Sequence, residues 1–378
     1  PASPFVPSSV SSEQIVAPIG QAYAGGRGVA NWEVWSLPVY APLILIFIPV
    51  YLRNRITTVP DFLSRRYGPR CADVYSWVML VAYVFVFAVP VLYGGSLALS
   101  ALMKVNFYLV LWTIVVLVGL YTVKGGLASV MWTDAAQCLM LLGGGLVLFF
   151  IALTHVPGGW GAMVRAAPER FHLYHPPGDD SAPFLGLLAG SFGVFIFYQA
   201  TNQVMIQRVL GARSTWDACG GIIFAGLINL LRPLVTCFMG FIVYHWIHDL
   251  QRAPELADKD LVFSFALREF APAWGLRGVI LAGFLAAVMS TISALANSTA
   301  TLFSLDVYRK LIDPAADDRR LVRVGRWASL ACLLIAALVA PAVGRLGGIF
   351  PYFQTGVTFL AVPFASVILV GILWRRAD

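Results

Sequence analysis

Apolar residues run along this chain in long blocks separated by short polar connections. The blocks fall at residues 32–52, 73–103, 107–123, 130–154, 184–206, 217–247, 275–306, 326–343 and 349–374. A helix needs roughly 17–25 apolar residues to cross the hydrocarbon of a bilayer, so the pattern predicts nine membrane-crossing helices. Residues 5–24 are a tenth candidate, interrupted by Pro7, Ser8, Ser9, Ser11, Ser12, Glu13 and Gln14. Facing lipid, that stretch would leave backbone groups unsatisfied. It survives as an interrupted helix only against protein or a water-filled cavity. A disordered tail is the alternative.

Residues 198–203 read Tyr-Gln-Ala-Thr-Asn-Gln inside an otherwise apolar block. Amides there either line a cavity or join neighbouring helices. The two interruptions, near 7–14 and 198–203, hold comparable places in the two halves of the chain, about 5–154 and 184–374. That arrangement points to an inverted-repeat transporter, a single transmembrane domain over 1–378 with its site at the midplane. Of the longer connections, 155–183 is rich in Pro, Gly and His and reads as an external loop or lid. In 248–274, Leu261, Val262, Phe263, Phe265 and Ala266 predict an interfacial helix.

Basic residues alternate with the blocks. Arg53, Arg55, Arg65, Arg66 and Arg70, then Lys124, then Arg208 and Arg213, then Arg309, Lys310, Arg319, Arg320, Arg323 and Arg326, then Arg375 and Arg376 all fall on one side if each block crosses once. Lys and Arg in short loops mark the cytoplasmic side. The net charge of +7 therefore reads as membrane orientation, and a nucleic-acid partner is not expected. The charged fraction of 12% and hydrophobic fraction of 59% exclude a soluble domain, where about 25% of residues are charged. The expected setting is multi-pass in a cell membrane of the bacterial inner-membrane type, with the lipid bilayer as partner. Five scattered cysteines show no metal or disulfide spacing. With no nucleophile–base pair either, an enzyme is not expected.

Polar groups within spans usually face a cavity or a partner. Glu33 and Ser36 sit at the outer edge of one block, on a shared face. Asp134 lies near the start of another, where the helix dipole favours a carboxylate. Asn229 and Arg232 share a face about 18 Å into their helix, near mid-bilayer. Arg232 there needs a partner: Glu33, as a structural ion pair, or the carboxylate of an acidic substrate. The stretch Ala286 to Thr299 is rich in small and hydroxyl residues. It serves close helix packing or a sodium site, in which Ser290, Thr291 and the Ala287 carbonyl offer hard oxygen ligands.

Several motifs resemble the sodium/solute symporter family, which includes the sodium–glucose cotransporters. They are Thr57 to Gly68, Lys124-Gly125-Gly126-Leu127 through Trp132-Thr133-Asp134, Gln203 to Arg208, and Ala286 to Tyr308 with its Leu305-Asp306-Val307-Tyr308-Arg309 ending. The resemblance covers essentially the whole chain. It implies an all-α membrane protein of the LeuT type, an inverted repeat of five plus five transmembrane helices with the first and sixth broken. It also implies sodium as the coupling ion, held by the carbonyls of Pro7 and Val10 with Ala287, Ser290 and Thr291. A second sodium site would use Asp134 and Ser293, with Ala294 in place of the next hydroxyl.

The resemblance carries sugar-site positions to Gln14, Glu33, Ser36, Tyr198 and Gln354. Asn229 stands where the sugar transporters have lysine, Phe195 where they have a polar residue, Gln199 where an aromatic is common, and Arg232 where they are apolar. The implied function is sodium-coupled symport of a small hydroxylated solute (sugar, polyol or sugar acid) by alternating access. A membrane sensor on the same fold is the alternative. The chain starts at Pro1, and residues 1–9 are short and proline-rich for the cytoplasmic half of a first helix. A first helix cut short, or an inactive fragment, is therefore expected.

Overall fold

The computed structural model describes residues 13–56, 58–124, 127–173, 190, 192–202, 204–206, 214–273, 275–374 and 376; the side chains of Arg27, Trp32, Glu33, Tyr121 and residues 123–137 lie outside that description. Every predicted block contains helix. In chain order the elements are α1 (Glu13–Gly25), α2 (Ser36–Arg53), α3 (Val59–Tyr67), α4 (Pro69–Met103), α5 (Phe107–Lys124) and α6 (Leu127–Thr154). There follow α7 (Gly159–Ala166), α8 (Phe192–Thr201) and α9 (Thr215–Asp249), α10 (Val262–Phe270), α11 (Leu276–Ile312), α12 (Asp318–Leu346) and α13 (Ile349–Leu373). Among the described residues, six of these are long and apolar enough to cross a membrane unaided, or seven if the bent pair α6 and α7 forms one span.

The outer helices divide their faces as a bilayer demands. On α9, Ala218, Gly221, Ile222, Ala225, Gly226, Asn229 and Arg232 form the buried stripe, while Ile223, Phe224, Leu227, Leu230 and Leu231 are exposed. Helical spacing alone sorts these two sets. Exposed Trp216 and Trp374 stand at the ends of α9 and α13 that adjoin the basic loops, the position tryptophan favours at a membrane–water boundary.

The tenth candidate is helical from Glu13 onward, and Ile15, Val16, Ala17, Ile19, Gly20, Ala22 and Tyr23 bury it on nearly every side. It ends at Gly25, followed by Gly26 at φ 82°. The Arg170 guanidinium donates to the Ala22 and Tyr23 carbonyls and lies 3.5 Å from the Tyr244 ring centroid. Terminal carbonyls that would have no helical partner are thus satisfied by a loop arginine.

Two connections differ from expectation. The interfacial helix predicted in 248–274 exists as α10, but Val262, Phe263, Ser264, Phe265, Ala266, Leu267 and Phe270 are all buried. It packs against α1 and α4, and only Arg268 and Glu269 are left exposed. The loop predicted at 155–183 is partly folded: Trp160 and Phe171 pack on Phe238 and Phe241 with ring centroids 4.9–5.0 Å apart. Residues 174–189 lie outside the described residues. Thr58 caps α3 by accepting the Asp61 N–H at 3.2 Å. Arg66 and Tyr67 of α3 donate to carbonyls of the final two turns of α13, at Gly371 and Val367.

Candidate functional site

The break anticipated at 198–203 is present. The backbone widens into a π-helical turn over Phe197–Thr201 and becomes extended at Asn202, φ −82° and ψ 124°. Carbonyls there lose their helical donors in a place water does not reach, which is costly unless something replaces them. Three buried tyrosines respond. Tyr51 of α2 donates to the Ala200 carbonyl at 3.0 Å, Tyr75 of α4 to the Thr201 carbonyl at 2.9 Å, and Tyr83 of α4 to Asn202 Oδ1 at 3.1 Å. Asn202 Oδ1 also accepts the Val204 N–H at 3.1 Å. Sequence reasoning found the break and missed its supports. The available signal was three tyrosines in apolar blocks, since a buried Tyr hydroxyl usually has a partner.

Beside the break lies a cavity of about 650 Å³, counting space open to solvent. α1 contributes Glu13, Gln14, Ala17 and Pro18, α2 contributes Ser36, and the broken segment contributes Phe195, Tyr198, Gln199 and Met205. Arg232 of α9 and Phe350 and Phe353 of α13 complete the wall. Polar groups gather on α1, α8 and α9. Beside them the rings of Phe87, Tyr198 and Phe353 pack mutually with centroids 5.8–6.1 Å apart. An apolar wall with a few convergent polar groups is the usual build of a small-molecule site.

Of the predicted substrate residues, the fold brings Gln14, Ser36, Tyr198 and Arg232 to this cavity. Arg232 Nη1 reaches Gln14 Oε1 at 3.3 Å, joining residues 218 positions apart. Asn229 is 2% exposed and sits one turn away, donating to the Tyr40 hydroxyl at 2.7 Å. It is behind the wall rather than in it. Gln354 follows Phe353 on α13 but is not part of the lining. The Glu33 side chain lies outside the described residues. Glu13, Ala17, Pro18, Met205, Phe350 and Phe353 were not anticipated. Glu13 had a signal, a carboxylate in a span candidate, whereas the phenylalanines are indistinguishable from core by sequence.

In the predicted sodium set, Ala287, Ser290 and Thr291 occupy one face of α11 at helical spacing. Pro7 and Val10 lie outside the described residues, as does the Asp134 side chain. Ser293 is buried, and its Oγ accepts a hydrogen bond from Thr122 of α5 at 3.2 Å. The same stretch also packs: Ser329 of α12 donates to the Ala296 carbonyl at 3.0 Å, and Val288 meets Gly95 of α4 so closely that a Cβ there would lie 2.8 Å away.

Residues 2–378 match the Sodium:solute symporter family, and the chain belongs to that family. It is similar to the sodium/glucose cotransporter of Vibrio parahaemolyticus, 30% identical over 98% of this chain and 72% of the relative. It is also similar to an uncharacterized symporter of Escherichia coli, 32% identical over 98% of this chain and 66% of that protein. The sodium/myo-inositol cotransporter 2 of Bos taurus is 29% identical over 98% of this chain, which spans 59% of that relative's length. The fold matches a substrate-bound, outward-open Na⁺-coupled sialic acid symporter with a TM-score of 0.86, covering 100% of this chain and 79% of the other at 20% identity. The architecture is the LeuT-type all-helical membrane fold. The family is one of multi-pass membrane transporters, not enzymes.

Proposed function

We propose that this protein couples sodium entry to the uptake of a small hydroxylated solute by alternating access. The observation that carries the reading is the cavity at the helix break, which gathers Glu13, Gln14, Ser36, Gln199 and Arg232 around a wall of aromatic rings. Hydroxyl groups of a solute would exchange hydrogen bonds with the amides and the carboxylate. Its C–H faces would lie on Tyr198 and Phe353. Relatives that transport glucose and myo-inositol support this class of solute, and bacterial relatives support the inner membrane as the setting.

Sodium, as co-substrate, would sit between α1 and α11. Ser290 and Thr291 hydroxyls and the Ala287 carbonyl are hard oxygen donors of the kind sodium takes. The preceding residues Pro7 and Val10 would contribute carbonyls, and Asp134 with Ser293 would form the second site. Coupling needs only that sodium bind the outward-open state more tightly, making the solute-ready cavity more populated. The two halves, about 5–154 and 184–374, would move as inverted repeats. Purified protein in proteoliposomes tests this: a sodium gradient should drive uptake of labelled hydroxylated solutes, and a potassium gradient should not. Equal uptake under both would overturn the reading.

A further inference from the structure

The start of α12 gathers positive charge that the protein itself does not answer. We propose that this face binds an anionic phospholipid, its headgroup phosphate on Arg319, Arg323 and Arg326 and an acyl chain along the apolar stripe that continues from Trp327. This ligand is separate from the solute and the sodium of the cavity.

From Trp327 to Gly344 the chain carries no charged residue, 18 in a row between Arg326 and Arg345. At the helical rise that run is about 27 Å long, close to the roughly 30 Å of a bilayer's hydrocarbon. Arg326 thus marks one edge of the hydrocarbon, with Arg323 and Arg319 one and two turns further out, at headgroup level. The three arginines are spaced four and three residues apart, so they share a face of α12, and all are exposed. Trp327, Leu334 and Leu338 follow Arg323 at helical spacing and are 69%, 48% and 71% exposed. One strip therefore runs from guanidinium through indole to leucine. A phospholipid presents its parts in the same order: phosphate, ester, hydrocarbon.

Charge selects the class of lipid. Neighbouring cations are already paired: Arg320 Nη1 meets Asp313 Oδ2 at 2.7 Å, and Lys310 Nζ meets Asp306 at 2.9 Å and Asp73 at 3.4 Å. Among the described residues, Arg319, Arg323 and Arg326 have no such acidic partner. Asp317 and Asp318 are near in sequence, but neither stands three or four residues from any of the three, the spacing a helical ion pair needs. Asp317 instead accepts the Arg320 N–H at 3.0 Å as the helix cap. Like charges one turn apart weaken a helix, and an anion lying between them reverses the effect. A zwitterionic headgroup brings a cation of its own to the patch; an anionic one does not. Guanidinium groups hold phosphate oxygens in pairs, which favours arginine at such a place.

The test uses phosphatidylglycerol, with phosphatidylcholine of the same acyl chains as the zwitterionic comparison and glycerol phosphate as the soluble one. In native mass spectrometry the parent protein should retain phosphatidylglycerol over phosphatidylcholine by about tenfold or more. Arg323→Gln with Arg326→Gln should remove most of that preference. Arg53→Gln with Arg70→Gln makes the same charge change at exposed arginines elsewhere and should leave the preference within about twofold. Phenylglyoxal labelling locates the lipid without any substitution. In nanodiscs containing phosphatidylglycerol, Arg323 and Arg326 should be protected relative to pure phosphatidylcholine, while Arg53 and Arg70 label alike in both. No preference in the parent, uniform protection of all four arginines, or equal loss in the two double variants overturns the site. Displacement of the lipid by equimolar glycerol phosphate overturns the lipid assignment in favour of a soluble anion.

Discussion

Asp260 Oδ2 accepts the backbone N–H of Ile349 at 2.9 Å, so a carboxylate from the connection between α9 and α10 caps the first turn of α13. Gly348 permits the approach: it sits at φ 92°, and a Cβ there would lie 2.8 Å from Oδ2. The helix N-terminus and the N–H favour the charged carboxylate, yet Asp260 is 1% exposed. Burial outweighs both and pushes its pKa from 3.8 up to about 6.

That shift gives stability a pH slope. Between about pH 4 and pH 6 the folded protein holds a proton on Asp260 that the unfolded chain has released, so stability from this group falls as pH rises through that window. At one pKa unit per 1.4 kcal/mol, the loss is about 3 kcal/mol. Asp260→Asn keeps an acceptor and removes the charge. Melting temperatures in detergent should match between parent and variant near pH 4 and diverge toward pH 7, with the variant the more stable. A constant difference across the range would contradict this.

The tyrosines at the helix break should be energetically separable from ring packing. Tyr75→Phe leaves the Thr201 carbonyl without its donor, and Tyr51→Phe does the same at Ala200. Each should cost about 1–3 kcal/mol, the usual penalty for a stranded buried acceptor. Because the two carbonyls are adjacent, the double variant should depart from the sum of the singles. Thermal denaturation of all three checks this; near-parent stability in both singles would mean the break is held by other contacts.

Sodium activation should depend on two hydroxyls. Ser290→Ala with Thr291→Ala removes two oxygens from the proposed shell while keeping the small volume that α11 needs for packing. Uptake at saturating solute should lose its sodium dependence, with expression unchanged. Retained sodium activation would leave the small residues of α11 with a packing role only.

Close helix approach should be intolerant of single carbons. A Cβ on Gly240 would lie 2.5 Å from the Ile19 carbonyl oxygen and 3.0 Å from the Tyr23 nitrogen. Those are backbone atoms of α1 that cannot rotate away. Gly240→Ala should destabilise by about 1–3 kcal/mol or more through overpacking. Gly143→Ala, whose added carbon meets nothing within 4 Å, is the matched control. Equal melting temperatures for the two variants would refute the crowding argument.

The sequence by itself determined the membrane class and the order of the helices. Hydrophobic blocks long enough to span a bilayer are set by local composition, and the lipid-facing and buried stripes of α9 follow from helical period alone. It also located the break at 198–203, because amides in an apolar block are costly against lipid and so mark backbone that faces protein or water. Family motifs carried site positions onto Gln14, Ser36 and Tyr198, and set Arg232 apart as a departure from them.

Only the tertiary structure decided which of these residues meet. Gln14 and Arg232 are far apart in sequence, and their contact depends on how α1 threads past α9. Asn229 and Arg232 share a helical face, yet a turn of helix puts one behind the wall against Tyr40 and the other in it. The burial of α10, the tyrosines under the break, and the Asp260 cap on α13 were likewise invisible in the chain. Each is a pairing between distant segments, and a side chain's partner is fixed by packing in three dimensions rather than by its own chemistry.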